Sequence, residues 1–310
     1  MRPAERPKRR GLDMARFDYA RAVSLDHAVS LINDPAYKSR LLSGGTDLQV
    51  YLHQHPADFD RVVDISLLPE LKIIQSSGAE ITLGAGVTFT EVIECALLQD
   101  TVPFLAEACR AVGSPQIRNL GTMGGNVVNA AACADTLPVL VCLDAVAHLK
   151  GPRGERDLLV AELVSGPNIT QIGPGELLTH FTFEIPPERS KTVFIKLGRR
   201  NALAISRLSI AAMGRLDGRG QVDFVRITPG AATPQTVRLK RIEAMLLGKP
   251  LTSELIHSAA LQAADEMVAQ AGRRWSSEYK SPVISCLAER ALAQVLSSDP
   301  SPAARNGPAI

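Results

Sequence analysis

The sequence predicts an α+β protein of two domains. From Phe17 onward, amphipathic helical segments alternate with short strands rich in β-branched residues, which is typical of a mixed fold. The dipeptide Pro186-Pro187 interrupts this pattern, and a run of strands followed by helices comes after it. With 310 residues, of which 45% are hydrophobic, the chain is long enough for two cores. We therefore expect a first domain over 14–187 and a smaller one over 190–296.

The first domain is expected to begin with a helix and a buried strand. Ser24 is the expected N-cap of a helix over 24–34, and a strand leads into the glycines at 44 and 45. Further strands are expected at 61–66, on both sides of a Ser-Gly turn within 72–88, and at 175–185, with a hairpin turn at 151–154. Helices are expected at 88–100, with Thr90 as its cap, and at 101–113.

The second domain is expected to be a sheet followed by helices. A Gly-Arg-Gly hairpin lies within the predicted sheet over 192–233. Helices are expected at 238–248, 253–267 and 281–296. Trp275 and Tyr279 are interpreted as packing residues of this domain.

Both ends of the chain are predicted to be disordered, over 1–13 and 297–310. The basic N-terminus contains Arg9-Arg10, but no apolar segment follows, so we reject an export signal. Met1 and Met14 are both compatible with the start of translation. The last residues have the composition of a disordered tail.

The composition excludes several classes of protein. The formal net charge of +2 gives no reason to expect nucleic acid or an anionic membrane as a partner. No apolar run is long enough to span a membrane, and the longest, Leu137 to Leu149, is interpreted as a buried core segment.

The 5 cysteines lack a C-x-x-C pair, which argues against a zinc ribbon or a local iron–sulfur loop and favours free thiols in the cytoplasm. The histidines lack metal-ligand spacing, apart from the pair His53 and His55, which is interpreted as a surface feature.

Two glycine-rich segments in the first domain suggest one extended ligand. These are LLSGGTDL at 41–48 and IRNLGTMGGNVVN at 117–129. Glycine lets backbone approach a ligand closely, and successive backbone N–H groups form a concave site that favours phosphate. Neither segment has the P-loop or the Rossmann spacing, and a tight structural turn is the competing interpretation of each glycine pair.

A carboxylate downstream supports a dinucleotide as that ligand. Asp135 follows the second glycine segment, and acids in dinucleotide sites bind sugar hydroxyls. The residues by themselves do not choose between flavin and nicotinamide. If the glycines serve the cofactor, bulky side chains at Gly124 or Gly125 should abolish cofactor retention before they abolish folding.

The two segments together resemble the FAD-binding subunits of molybdenum hydroxylases, the family of xanthine, carbon monoxide and nicotinate dehydrogenases. LLSGGTDL and SPQIRNLGTMGGNVVNAAACADTLP, in this order, carry the resemblance. FDYARAVSLDHAV, KLGRRNALAISRLSIAA and SSEYKSPVISCLAERAL resemble the family's start, the first strands of its C-terminal domain and its closing helix. The similarity spans about residues 17–296.

The resemblance implies a fold, a cofactor and a site. The fold is a two-subdomain FAD-binding fold of the vanillyl-alcohol oxidase and p-cresol methylhydroxylase type, followed by a smaller α+β domain of the CO dehydrogenase flavoprotein type. Asp135 would bind ribityl or ribose hydroxyls, and Lys196 would lie near the flavin ring, where a cation stabilises the anionic reduced form. No catalytic or metal-binding side chains are expected in this chain. The implied FAD-binding residues are Leu41, Leu42, Ser43, Gly44, Gly45, Thr46, Asp47, Leu48, Val112, Thr122, Gly124, Gly125, Asn126, Asp135 and Lys196.

The chain departs from the family pattern at three places. Ala130 to Cys133 replaces the frequent Ala-Ser-Pro, and Cys133 is interpreted as a small apolar filler. Val112 stands where some relatives have an aromatic residue near the flavin. The cysteine-rich insertion of aromatic-CoA reductases is absent, which argues against that branch. This absence and the type of the KLGRRNALAIS segment together lead to a xanthine dehydrogenase-like or other N-heterocycle-oxidising complex.

The implied function is electron transfer within a multisubunit oxidoreductase. FAD would take electrons from iron–sulfur clusters of a small partner subunit and pass them to NAD⁺ or to a quinone, ferredoxin or oxygen. The molybdenum cofactor would lie in a large subunit, in a dimer of heterotrimers. Alternatives are the FAD subunit of a CO dehydrogenase or aldehyde/aromatic-CoA oxidoreductase, a standalone flavin oxidase, and a non-catalytic nucleotide-binding assembly module.

Overall fold

A computed structural model describes residues 17–200, 203–272 and 277–297, without the side chains of Ser277 and Tyr279. The predicted N-terminal tail, residues 298–310, Trp275 and the side chain of Tyr279 lie outside what it describes. The strands are β1 Asp18–Arg21, β2 Ser39–Leu42, β3 Arg61–Asp64, β4 Ile74–Ser77, β5 Glu80–Gly84, β6 Val146–Gly151, β7 Gly154–Leu159, β8 Val164–Gly166, β9 Ile169–Thr170, β10 Leu177–Glu184, β11 Lys191–Leu197, β12 Leu208–Leu216 and β13 Val222–Gly230. The α-helices are α1 Leu25–Ile32, α2 Thr46–Gln54, α3 Phe89–Glu94, α4 Ala96–Thr101, α5 Pro103–Arg110, α6 Pro115–Arg118, α7 Met123–Asn129, α8 Leu137–Cys142, α9 Val160–Leu163, α10 Lys240–Leu246, α11 Ser253–Ala271 and α12 Ser277–Val295, and a 3₁₀ turn covers Pro69–Leu71.

The N-terminal half contains three sheets, of which the smallest is the antiparallel pair β8-β9. β1, β3 and β2 form a small parallel sheet in that order. The second sheet has five antiparallel strands in the order β4-β5-β10-β6-β7. The first glycine segment begins at the carboxyl end of β2 and continues into α2. The carboxyl ends of strands in open α/β sheets are where ligands commonly bind.

The C-terminal half is a three-stranded antiparallel sheet, β11-β12-β13, covered by helices. Successive side chains of a strand face opposite sides of its sheet, and β12 uses both sides. Leu208, Ile210 and Ala212 join a core with α10, α11 and α12. Ala211 and Met213 join the larger core of the N-terminal half. β12 therefore packs into both hydrophobic cores.

Most predicted elements are present, and the predicted cap of one helix is wrong. Ser24 caps α1 as predicted, since its hydroxyl accepts from the N–H of His27. The helix predicted at 88–100 is two helices, α3 and α4, separated by extended backbone at Cys95. Its cap is Thr88, which forms a capping box with Glu91, whereas the Thr90 hydroxyl donates to Asn119. Thr88 has the glutamate three residues later that a capping box requires.

Five helices lie where the sequence suggested none, namely α2, α6, α7, α8 and α9, and two of them belong to the glycine segments. α2 follows the first glycine segment directly, and α7 contains Gly124 and Gly125. Glycine disfavours a helix by about 1 kcal/mol relative to alanine, so propensity alone argues against α7. Thr122 caps α7 by accepting from the N–H of Gly125, and Met123 and Val127 are buried in the core. Tertiary packing therefore outweighs propensity at α7. Across the described ranges, none of the helices combines the length and apolar character needed to cross a bilayer.

Candidate cofactor site

The two glycine segments lie against each other. The hydroxyl of Ser43 donates to Oγ1 of Thr122 over 3.3 Å. A Cβ atom on Gly44 would lie 1.9 Å from the carbonyl oxygen of Leu120. Gly44 is therefore required for the contact between the segments. Residues separated by 79 positions in sequence form one continuous surface.

The first segment presents a series of unused backbone donors. Among the described residues, no protein acceptor receives the N–H groups from Ser43 to Leu48. Gly45, with φ of 71°, precedes α2 in the left-handed conformation and makes no side-chain cap. The first N–H groups of a helix lack intrahelical partners and carry the positive end of the helix dipole. Together these groups form a site that favours an anion, such as a phosphate.

The N–H groups from Met123 to Asn126 in the second segment are already used. The N–H of Met123 donates to Val87 over 2.9 Å, and that of Gly124 to Ala85 over 2.8 Å. The N–H of Gly125 donates to the hydroxyl of Thr122. The nest of N–H groups predicted for this segment is therefore not free to receive a phosphate. Its role as the second wall of the site stays a prediction.

Gly124 and Gly125 differ in their surroundings. Gly124 is buried, and a Cβ atom there would lie 2.6 Å from Cβ and 2.7 Å from the carbonyl oxygen of Ala85. Gly125 is exposed, and its Cβ would meet only the hydroxyl of Thr122, at 2.9 Å. The absence of a side chain at Gly124 thus serves packing, which differs from the cofactor role expected from the sequence.

A cleft of about 660 Å³ adjoins the first segment. This volume lies within the range of small-molecule and cofactor sites. Gly44, Gly45 and Thr46 contribute to its lining, together with most of the remaining residues of α2. Apolar side chains dominate the remainder of the lining, which comprises Phe17, Leu42, Leu48, Val50, Leu52, Val62, Ile117 and Leu120 with the polar Gln49, His53 and Gln54.

The partly buried Lys196 forms an ion pair with the buried Asp135. Nζ of Lys196 donates to Oδ2 of Asp135 over 2.7 Å and to the carbonyl oxygen of Ala111 over 2.8 Å. The hydroxyl of Ser206 donates to Oδ1 of the same carboxylate. Asp135 is 6% exposed. Because this carboxylate lies against the ammonium group, the charge of Lys196 is largely compensated, which weakens the electrostatic role expected for an isolated cation.

Burial governs the protonation of the acids in this region. Burial raises the pKa of Asp135, while the hydrogen bonds from Lys196 and Ser206 lower it, and the net direction is upward. Burial also raises the pKa of Asp47, at the start of α2. The pKa of the Cys133 thiol is raised by burial and by the charge of Asp135. Cys133 is therefore a poor thiolate, in agreement with its interpretation as a filler.

The other predicted residues have mainly packing contacts. Leu41 and Val112 are partly buried against the larger core, and the carbonyl oxygen of Val112 accepts from Arg118 over 3.0 Å. Oδ1 of Asn126 accepts from the buried hydroxyl of Thr136 over 2.6 Å, so the second segment is tied to the loop that contains Asp135.

Two features of the site were not predicted from the sequence. Ser206 lies in the segment KLGRRNALAISRLSIAA, but nothing in its local pattern distinguishes it from the other serines. Leu120 is 59% exposed beside the cleft. An apolar residue directly before the first glycine of the second segment was the available signal. Among the described residues, no group of three or more histidine, cysteine or acidic side chains is arranged to hold a metal ion, and His53 and His55 are exposed, as expected.

Comparison with known proteins identifies the family. A family model described as the FAD binding domain in molybdopterin dehydrogenase matches residues 15–187. This chain belongs to that family. A second model, the CO dehydrogenase flavoprotein C-terminal domain, matches residues 193–295. The resemblance inferred from the glycine segments and the predicted fold class are both confirmed, and the protein contains an FAD-binding domain.

Relatives and solved structures extend over nearly the whole chain. A putative xanthine dehydrogenase FAD-binding subunit of Escherichia coli is 30% identical over 91% of this chain and 98% of its own length. A 6-hydroxypseudooxynicotine dehydrogenase complex subunit alpha of Paenarthrobacter nicotinovorans is 31% identical, over 90% of this chain and 94% of its own. A carbon monoxide dehydrogenase structure from Hydrogenophaga pseudoflava superposes with a TM-score of 0.84 at 26% identity, over 90% of this chain and 97% of that one.

The residues present fit FAD. The N–H groups from Ser43 to Leu48 offer donors for a pyrophosphate, which carries negative charge on each phosphate. The adjoining apolar cleft offers space for the organic part of a dinucleotide.

Proposed function

We propose that this chain is the FAD-binding electron-transfer subunit of a multisubunit molybdenum hydroxylase. It would take electrons from iron–sulfur clusters of a small partner subunit and pass them to NAD⁺ or another acceptor, with the molybdenum cofactor in a large subunit and a dimer of heterotrimers as the assembly. The observation that supports it most is the series of unused N–H groups at 43–48, within a chain of the FAD-binding family. The five free cysteines fit a cytoplasmic location.

Each proposed site residue has a distinct task. Ser43 to Leu48 would hold the pyrophosphate through backbone N–H groups, and Thr122 to Asn126 would form the opposite wall. Asp135 would accept a sugar hydroxyl, while Lys196 would keep this carboxylate ionised. Val112 would line the flavin side. Bound FAD supplies one- and two-electron redox chemistry, so the protein needs to contribute only binding, orientation and electrostatics.

A xanthine dehydrogenase-like or other N-heterocycle-oxidising complex is the proposed assembly. The relatives named for xanthine and for a nicotine-derived substrate support this choice, at 30% and 31% identity. A CO dehydrogenase subunit is the second candidate, which the TM-score of 0.84 favours. Native purification distinguishes a complex from an isolated chain, because co-eluting subunits with molybdenum and iron are expected. A chain that elutes alone and carries neither metal would contradict the assembly.

The FAD site is tested by a pair of glycine substitutions. Gly45 and Gly78 both have positive φ, at 71° and 61°, so alanine at either position costs about 1–2 kcal/mol of backbone strain. Only Gly45 lies in the series of unused N–H groups. A Cβ on Gly45 would lie 2.8 Å from Cδ1 of Leu42, the end of a side chain that can rotate away, whereas no atom lies within 4 Å of a Cβ on Gly78. We expect G45A to lose FAD and G78A to retain it at similar stability, as measured by flavin absorption near about 450 nm and by identifying the released cofactor.

Two outcomes would count against the site. A wild-type chain that is colourless and takes up no added FAD would favour the non-catalytic assembly module. A G45A variant that retains FAD as well as G78A does would place the pyrophosphate away from residues 43–48.

A further inference from the structure

Asp135 is held by two donors that lie on either side of one loop. Lys196 lies near the end of β11, and Ser206 lies just before β12. Lys196 bonds to Oδ2 and Ser206 bonds to Oδ1 of the carboxylate. Asp135 and Ser206 are each 6% exposed. The acid belongs to the N-terminal half of the chain, and both donors belong to the C-terminal half.

The two donors are constrained differently. Lys196 is also fixed to the carbonyl oxygen of Ala111, so its position does not depend on Ser206. Among the described residues, Ser206 is the hydrogen-bond donor to Oδ1 of Asp135. A buried carboxylate that loses one of two donors pays a desolvation cost or turns to find another partner. Ser206 therefore controls the orientation of the carboxylate.

We propose that Ser206 is a positioning residue for the cofactor site, which orients Asp135 so that its carboxylate binds a sugar hydroxyl of FAD. This rests on the proposed function, because it requires FAD to contact Asp135. Ser206 itself has no direct role in binding. Ser206 affects FAD binding through the orientation of the Asp135 carboxylate.

The charged state of Asp135 gives this role a pH signature. Hydrogen bonds from Lys196 and Ser206 lower the pKa of Asp135, against the effect of burial. Loss of the Ser206 hydroxyl therefore raises this pKa further, and Asp135 becomes protonated at a higher pH. The other titratable groups near the acid are Cys133 and Cys109, whose thiols have raised pKa values and stay neutral as the pH falls.

The experiment measures FAD affinity against pH for the full-length apoprotein, by quenching of flavin fluorescence. In S206A we expect the acid-side loss of affinity to begin about one pH unit higher than in wild type, with about tenfold weaker binding inside that window. At higher pH, where Asp135 is ionised in both proteins, a smaller loss of affinity should remain in S206A, because the carboxylate is no longer held in its orientation. S206T keeps the hydroxyl and should follow wild type.

A matched control removes a different buried hydroxyl. Ser209 is 2% exposed in β12, and among the described hydrogen bonds its hydroxyl makes none to Asp135, so S209A should follow wild type. If S206A proves unstable by thermal denaturation, S206C supplies a weak donor of similar size and should give an intermediate shift. The proposal is overturned if S206A binds FAD as wild type does at every pH, or weakens it equally at every pH. A wild type that binds no FAD at any pH would overturn the proposed function itself.

Discussion

At the scale of single residues, the glycines of the two segments serve different physical needs. Gly45 adopts a positive φ before α2, which favours a residue without a side chain. Gly44 permits the contact with the carbonyl of Leu120, and Gly124 permits the contact with the backbone of Ala85. Among the described residues, the glycines of the first segment lie in a series of unused N–H groups, whereas the N–H groups of Gly124 and Gly125 have acceptors. The same residue type thus leaves backbone donors free in one segment and permits packing in the other.

Substitution of Gly124 tests this distinction. In G124A the new Cβ would lie 2.7 Å from the carbonyl oxygen of Ala85, and backbone cannot rotate away as a side chain does. We expect overpacking to reduce the free energy of unfolding by about 1–3 kcal/mol, measured by chemical denaturation. G218A is the control, since no atom lies within 4 Å of its Cβ, and it should change stability by less than about 0.5 kcal/mol. Equal stability of the two variants would show that the Ala85 contact is unimportant.

At the scale of elements, helix starts hold the second glycine segment in place. The N–H of Phe89, the first residue of α3, donates to the carbonyl of Gly121 over 3.1 Å. Thr88 caps α3 and forms an isolated bridge with Thr122, which in turn caps α7. Two capping threonines are therefore adjacent. The position of the second segment depends on both helix starts.

The capping threonine of α3 is distinguishable from its neighbour by mutation. In T88A the helix loses a cap whose hydroxyl accepts from the N–H of Glu91, and we expect a loss of about 1 kcal/mol. T90A removes only the hydrogen bond to Asn119, so its cost should be about 0.5 kcal/mol or less. Thermal denaturation of both variants provides the measurement. If T90A loses more stability than T88A, Thr90 is the more important cap, as expected from the sequence.

At the scale of the whole molecule, two polar clusters join the N-terminal and C-terminal halves. The first is the cluster of Asp135 with Lys196 and Ser206. The second contains Asp144, which accepts from Arg226 and Arg238. Arg238 also pairs with Glu243, whose side chain is 5% exposed. Because β12 additionally packs into both cores, the halves are joined by apolar and ionic contacts together.

Loss of the Arg238 side chain is expected to reduce the free energy of unfolding strongly. In R238M the nearly buried Glu243 loses its guanidinium partner, and an unpaired buried charge costs about 3–5 kcal/mol. R215M is the control, because Arg215 pairs with Asp223 in a more exposed setting, where about 1 kcal/mol or less is expected. Chemical denaturation measures both. If the free energy of unfolding falls no more in R238M than in R215M, Glu243 finds another partner.

Local sequence patterns were sufficient for many elements. Ser24 was a reliable cap because its hydroxyl interacts within four residues, and the hairpin at 151–154 follows from its glycines and proline. The cap at Thr88 was missed although its signal, Glu91 three residues later, was present in the sequence. α7 could not be predicted locally, because contacts with Val87 and Ala85 hold its glycine-rich start.

The sequence alone determined the α+β class, the cofactor family and the two segments that meet at the site. Short-range periodicity and turn chemistry encode the α+β class. The ordered pair of glycine motifs encodes the FAD-binding family and the two segments that contact each other. The tertiary structure decided which donors are free: those at 43–48 are, and those at 123–125 are not. It also brought Ser206 to Asp135 across 71 positions. Hydrogen-bond partners distant in sequence are set by packing, and no local pattern records them.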